Sequence, residues 1–172
     1  MQPIDGITPP FFFYNQTSCW GWATWKRAWR FYQPEAAILY HNILKTKRDR
    51  EFNLENSYPF LQHLKNNIDG TWNTWAIKWH ASVFLLKGLC LHPNISYTQN
   101  IGMDGSGTHC SVDDTYTVTQ LNTNKFSAVT TLKENKRILR KVIKFNKSTS
   151  AKEDKGLVYR LYRKIKNKLK WS

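Results

Sequence analysis

Hydrophobic positions recur along this chain with two different periods. Between Trp72 and Lys87, the residues Trp72, Trp75, Ala76, Trp79, Val83 and Leu86 follow helical spacing, which predicts a helix with one aromatic face. Asp69-Gly70 reads as a turn before it, Thr71 as its N-cap and Gly88 as its stop. Trp22, Trp25 and Trp29 stand at i, i+3 and i+7 and predict a second aromatic helix face. Pro34 suits the first turn of a further helix that points Ile38, Leu39 and Tyr40 inward. Residues 47–66 read as a polar helical stretch, interrupted near Tyr58-Pro59. The other period is that of strands. Phe11 to Tyr14 is a continuous apolar run suited to a buried strand. Leu89 to Pro93 and Ile95 to Asn100 read as short strands around a Pro-Asn turn, and Tyr116 to Leu121 as an edge strand. Residues 132–145 and 156–170 predict amphipathic basic helices joined by a polar linker.

Charge divides the chain more sharply than hydropathy does. The formal net charge is +14, yet fifteen of the 26 basic residues lie from Lys133 onward, against Glu134, Glu153 and Asp154. The first 132 residues are nearly neutral, so the high pI belongs to the C-terminal segment. Three regions follow: a domain over residues 1–112, an irregular or edge-strand segment over 113–131, and a basic helical tail over 132–172. A buried strand at Phe11 needs neighbours and little sequence precedes it, so the expectation is part of a larger domain. Cys19, Cys90 and Cys110 are odd in number, far apart and without a CxxC pair, so they suggest neither a disulfide framework nor a structural zinc site. The polar opening and the lack of a long apolar run fit a cytoplasmic protein.

Five constellations could carry chemistry. Eight Trp are enough for an aromatic wall if the two Trp faces meet. Ring faces pack well on sugar C–H groups, so Trp22, Trp25, Trp72 and Trp75 are candidate substrate contacts; plain core packing is the alternative. The start of the second Trp helix offers unpaired N–H groups to a polar ligand, with Asn73 at that end and Asp69 four residues earlier. The loop Asn100 to His109 holds three Gly, and its Asp104, Gly105, Ser106, Gly107, Thr108 and His109 could approach a phosphate or sugar closely; a tight surface loop is the alternative. Asp113-Asp114 is an adjacent acidic pair without the preceding hydrophobic strand expected of a metal motif. In the tail, Val158, Tyr162, Ile165 and Leu169 share one face among cations, so residues 156–170 fit an anionic membrane surface at the inner face of the membrane better than nucleic acid.

Three segments in order, Ser18-Cys-Trp-Gly-Trp-Ala-Thr-Trp25, Asn73-Thr-Trp-Ala-Ile-Lys-Trp79 and Gln99-Asn-Ile-Gly-Met-Asp-Gly-Ser-Gly-Thr-His-Cys110, carry a resemblance. Together they resemble the C-terminal half of bacterial sugar transferases of the glycosyltransferase family 2 type, over roughly residues 3–112. The resemblance implies an α/β chain: the acceptor-side portion of a GT-A nucleotide-diphospho-sugar transferase fold, helix-rich with short strands, similar to N-acetylglucosaminyltransferase I. It implies transfer of a sugar from a nucleotide-sugar donor to a hydroxyl of a glycan or glycolipid acceptor, in surface polysaccharide synthesis. It also implies a divalent metal (Mn or Mg) held by an acidic motif in the N-terminal half, so no metal is expected on this chain by itself. A Trp-Asp-Asp-Trp segment supplies the base in that pattern, and the matching position here is Asn73, which leaves Asp69 or Asp104 to substitute. The glycine loop matches the segment that closes the donor site. The alternative is a non-catalytic sugar-binding or membrane-surface module.

Overall fold

The computed structural model describes residues 9–99, 101, 120–125 and 131–150. Two strands, β1 (Phe11–Tyr14) and β2 (Cys90–Pro93), accompany helices α1 (Lys26–Trp29), α2 (Ala36–Lys45), α3 (Asp49–Phe52), α4 (Phe60–Ile68) and α5 (Trp75–Leu85). Residues 136–150 form a further helix, α6. The described residues thus make a small, helix-rich domain with two short strands, compatible with a mixed α/β class.

The aromatic run Phe11 to Tyr14 is a strand because both of its edges find partners. β1 pairs antiparallel with β2, with Phe12 opposite His92 and Tyr14 opposite Cys90. On its other edge Phe13 forms a parallel bridge to Glu134, and the Asn135 N–H donates to the Phe13 carbonyl at 2.7 Å. The core lies where this strand pair meets α2, α4 and α5. Leu39, Ile43, Phe52, Leu64, Ala81 and Phe84 are buried there with Phe12 and Tyr14. Each of the Leu, Ile and Phe side chains contributes about 1.5–3 kcal/mol through burial.

α6 joins the same core through Ile138 and Val142. A tail outside the domain was expected from Lys133 onward; its first helix instead fills the core, because the apolar positions between its cations repeat at i and i+4. The polar linker expected from Asn146 is also corrected: residues 146–150 continue α6, and Asn146 is buried, with its Nδ2 3.4 Å from Ser57 Oγ.

The aromatic stripe of α5 is only partly buried: Trp79 is inside and Trp75 outside. Its buried residues are Ile77, Trp79, His80, Ala81, Ser82 and Phe84, while Trp75 and Leu86 are exposed. The core-facing stripe is therefore Ile77, Ala81 and Phe84, offset from the stripe that the Trp spacing selects. The helix also starts later than Thr71. Asn67 Oδ1 accepts from the Thr74 N–H at 2.8 Å, and the Trp72 N–H donates to the Asn66 carbonyl, so Trp72 and Asn73 belong to the preceding turn. At its far end Lys87 takes the left-handed conformation, at φ 55°, that Gly88 was expected to supply. The Gly88 N–H then closes on the Val83 carbonyl at 2.9 Å.

The first Trp helix is a single turn, Lys26–Trp29, so Trp22 and Trp25 lie before it and do not share its face. In α2, Leu39 is buried but Ile38 is exposed. Residues 95–99 are bends rather than a strand, with Ser96 Oγ donating to the Thr98 carbonyl at 2.7 Å. The glycine loop from Gly102 to His109, Asp113-Asp114, most of the expected edge strand and the basic segment 156–170 lie outside the described residues. No helix among the described residues is long and apolar enough to cross a membrane.

Candidate functional site

Trp22, Trp29, Trp75 and Trp79 converge although they come from different parts of the chain. Trp22 sits at the centre, with ring centroids 5.8 Å from Trp29, 4.8 Å from Trp75 and 6.3 Å from Trp79. Trp29 lies 5.0 Å from Trp79 and stacks on Tyr32 at 4.6 Å. Trp79 is buried at 7% exposure and anchors the group, while Trp29 and Trp75 keep 38% and 41% of their surfaces open. The group is thus neither plain core nor loose surface: one ring is fixed and its neighbours are displayed. Trp25, at 63% exposure, stands apart from the ring contacts with the Arg27 guanidinium 4.9 Å above it.

Two cavities flank this wall. The larger, about 840 Å³, is mainly apolar and runs between Trp20, Trp22, Trp25, Phe31, Trp79 and Leu86. The smaller, about 390 Å³, lies between Trp20, Trp72 and Trp75 and includes the polar groups of Gln16, Thr17, Ser18, His63 and Thr74. Both volumes fall within the range of small-ligand sites. The segment Thr17, Ser18 and Trp20 lines both and separates them.

Two buried histidines hold that segment. His92 Nε2 lies 2.9 Å from the Gln16 carbonyl, so this nitrogen carries the proton and donates. The Thr17 N–H approaches His80 Nδ1 at 3.4 Å, which requires Nδ1 to be the unprotonated acceptor. His80 Nε2 then carries its proton toward the Phe52 carbonyl without reaching good hydrogen-bond geometry. Burial pushes the His80 imidazole down to about 3 and the His92 imidazole down to about 4. Burial also lowers His63, which meets Trp72 edge-on at 4.8 Å. His80 and His92 are therefore neutral struts at physiological pH, not cations for a diphosphate. Burial likewise raises Cys90 to about 11, which keeps its thiol protonated.

The expected site residues fall into three groups. Trp22 and Trp75 meet in the wall, and Trp72 faces the smaller cavity. Asn73 is exposed in the turn before α5, and Asp69 is fully exposed; neither lines a cavity. Asp69 Oδ1 accepts from the Thr71 N–H at 3.0 Å, and its hydrogen bonds to Thr71 hold the carboxyl below the usual range. Its work is to close the turn at Gly70, which has φ 79°. Asp104, Gly105, Ser106, Gly107, Thr108 and His109 lie outside the described residues.

The sequence reading missed Gln16, His80, His92 and Asn67. Gln16 Oε1 is buried at the smaller cavity and makes no hydrogen bond among the described residues. Asn67 ties α4 to α5, accepting from the Thr74 N–H while its Nδ2 donates to the His63 carbonyl at 2.8 Å. A histidine in the middle of an apolar helix was the one available signal for His80. Among the described residues, no group of three or more His, Cys, Asp or Glu is placed to hold a metal. No family model, no curated protein and no solved structure matches the chain.

Proposed function

We propose that the chain is the acceptor-side portion of a nucleotide-sugar-dependent glycosyltransferase of the GT-A type, acting on a glycan or glycolipid at the cytoplasmic face of the membrane. The observation that carries this reading is the half-open Trp wall beside a cleft with an unsatisfied buried amide oxygen. A sugar needs both elements: ring faces for its C–H surface and polar partners for its hydroxyls. In this reading an acceptor sugar rests on Trp75 and Trp72, and Gln16, Thr17 and Thr74 bond its hydroxyls. The uncapped N-terminal turn of α5 adds N–H groups to that cleft, since no side chain caps it. Asn73 can orient an acceptor hydroxyl but cannot take its proton. Asp69 is engaged with Thr71, so the base in this reading is Asp104 or a group elsewhere in the enzyme. The nucleotide and a divalent metal belong to the donor side, and the glycine loop closes over them.

The test is a titration of the chain with bacterial surface oligosaccharides, followed by tryptophan fluorescence, for wild type and Trp75→Ala. Saturable quenching that Trp75→Ala weakens about tenfold or more, at unchanged melting temperature, is the expected result. Absence of quenching by every glycan offered would sink the acceptor reading. A non-catalytic sugar-binding module is the second reading, favoured by Asn73 standing where a carboxylate is needed. It predicts the same binding but no transfer when the donor-side half is supplied in trans with nucleotide-sugar and Mn²⁺.

A further inference from the structure

α6 carries a second surface that the glycosyltransferase reading does not use. Lys136, Arg137, Arg140, Lys144 and Lys147 are all exposed. At the helical turn angle these five fall within an arc of about 100°, spread along about 16 Å of axis. The arc lies opposite the buried stripe of Ile138, Val142 and Asn146. Residues 135–150 include no Asp or Glu. The ion pairs found among the described residues, Arg48–Glu51 and Arg50–Glu55, are both at α3 and its flanks and involve none of these cations. Like charges at i, i+3 and i+4 each cost an isolated helix a few tenths of a kcal/mol. The helix bears that repulsion because the core fixes its other face. Five cations are thus held in a row by a folded domain, where solvated side chains of mixed sign would have served solubility equally well.

We propose that this face of α6 docks on an anionic lipid bilayer. The row is straight and lies along the side of one helix, which matches a planar headgroup surface. No aromatic side chain is exposed along α6 to stack on nucleic-acid bases. The following sequence, 156–170, repeats the cation content with Val158, Tyr162, Ile165 and Leu169 between, a composition suited to the bilayer interface. The inference stands independently of any sugar chemistry.

The experiment is co-sedimentation of the full chain with vesicles of phosphatidylcholine, with or without phosphatidylglycerol. Binding is expected to the phosphatidylglycerol vesicles and to be lost in high salt. Changing all five residues to Gln (K136Q, R137Q, R140Q, K144Q, K147Q) should lower the partition coefficient by about 100-fold or more. The charge-preserving set K136R, K144R, K147R should bind as wild type does, which controls for any effect on folding. A second Gln set at Arg160, Arg163, Lys164, Lys166 and Lys168 measures the tail. The proposal is overturned if the wild type ignores phosphatidylglycerol, if the α6 Gln set stays within twofold of wild type, or if a DNA duplex binds more tightly than the vesicles.

Discussion

Mild acid should destabilise this domain through its two buried histidines. His80 and His92 are buried and neutral, lowered to about 3 and about 4, against about 6.5 in an unfolded chain. Above pH 6.5 both states carry neutral imidazoles, and these groups add no pH dependence. As pH falls below 6.5 the unfolded state takes up two protons that the folded state refuses. Stability therefore falls with pH, and the loss continues down to about pH 4 for His92 and about pH 3 for His80. pH 5 lies about 1.5 units below the unfolded value and above both folded ones, so each imidazole has cost about 2 kcal/mol by then and the two together about 4 kcal/mol. A domain stable by roughly 5–15 kcal/mol loses a large fraction of that. The half-buried His63 acts in the same direction. Urea unfolding followed by tryptophan fluorescence at pH 7.5, 6, 5.5 and 5 reads the slope directly. A plateau above pH 7 and a slope approaching two protons below pH 6, about 2.7 kcal/mol per pH unit, is the expected result. His92→Gln keeps a donor for the Gln16 carbonyl and should remove one proton of that slope. His80→Asn keeps an acceptor for the Thr17 N–H and should remove the other. Resonances of the His80 and His92 imidazoles titrating near pH 6.5 in the folded chain would refute the reasoning.

Three further changes separate structure from display. Trp79→Ala removes the buried ring of the wall and should cost about 3–5 kcal/mol, whereas Trp25→Ala, at 63% exposure, should change stability by less than about 0.5 kcal/mol; thermal melts of both variants check the contrast. Asn67→Ala leaves the Thr74 N–H without its partner and should cost about 1–2 kcal/mol, with faster amide exchange confined to the first turn of α5.

The sequence was most legible where a local rule governs. The aromatic strand at Phe11, the break at Tyr58-Pro59 and the helix over Trp75–Leu85 follow from runs and periods. The meeting of Trp22 with Trp75 was foreseeable as a possibility, because two aromatic faces of one chain tend to be buried against each other. What could not be read is which stripe of α5 turns inward. The Trp spacing marks the larger rings, but Ile77, Ala81 and Phe84 fit between α2 and α4, and shape complementarity has no local signature. The role of α6 was hidden for a related reason: its charge marks it as a tail, while Ile138 and Val142, two residues in a basic stretch, place it in the core. The clamp on Gln16 and Thr17 joins residues far apart in sequence, which no motif announces.

The placement of β1 has a consequence for synthesis. Its aromatic residues come early, yet their hydrogen-bond partners are Cys90 to Pro93 on one edge and Glu134 to Asn135 on the other. The helices α2 to α5 are local in the chain and can assemble as they leave the ribosome, while the partners that β1 has in this domain are made only when synthesis reaches Cys90 and then Asn135. Phe11-Phe-Phe-Tyr14 is thus a cohesive, uncharged segment that waits for those partners during translation, and the chaperone demand of this domain falls on that strand rather than on its Trp-rich surface.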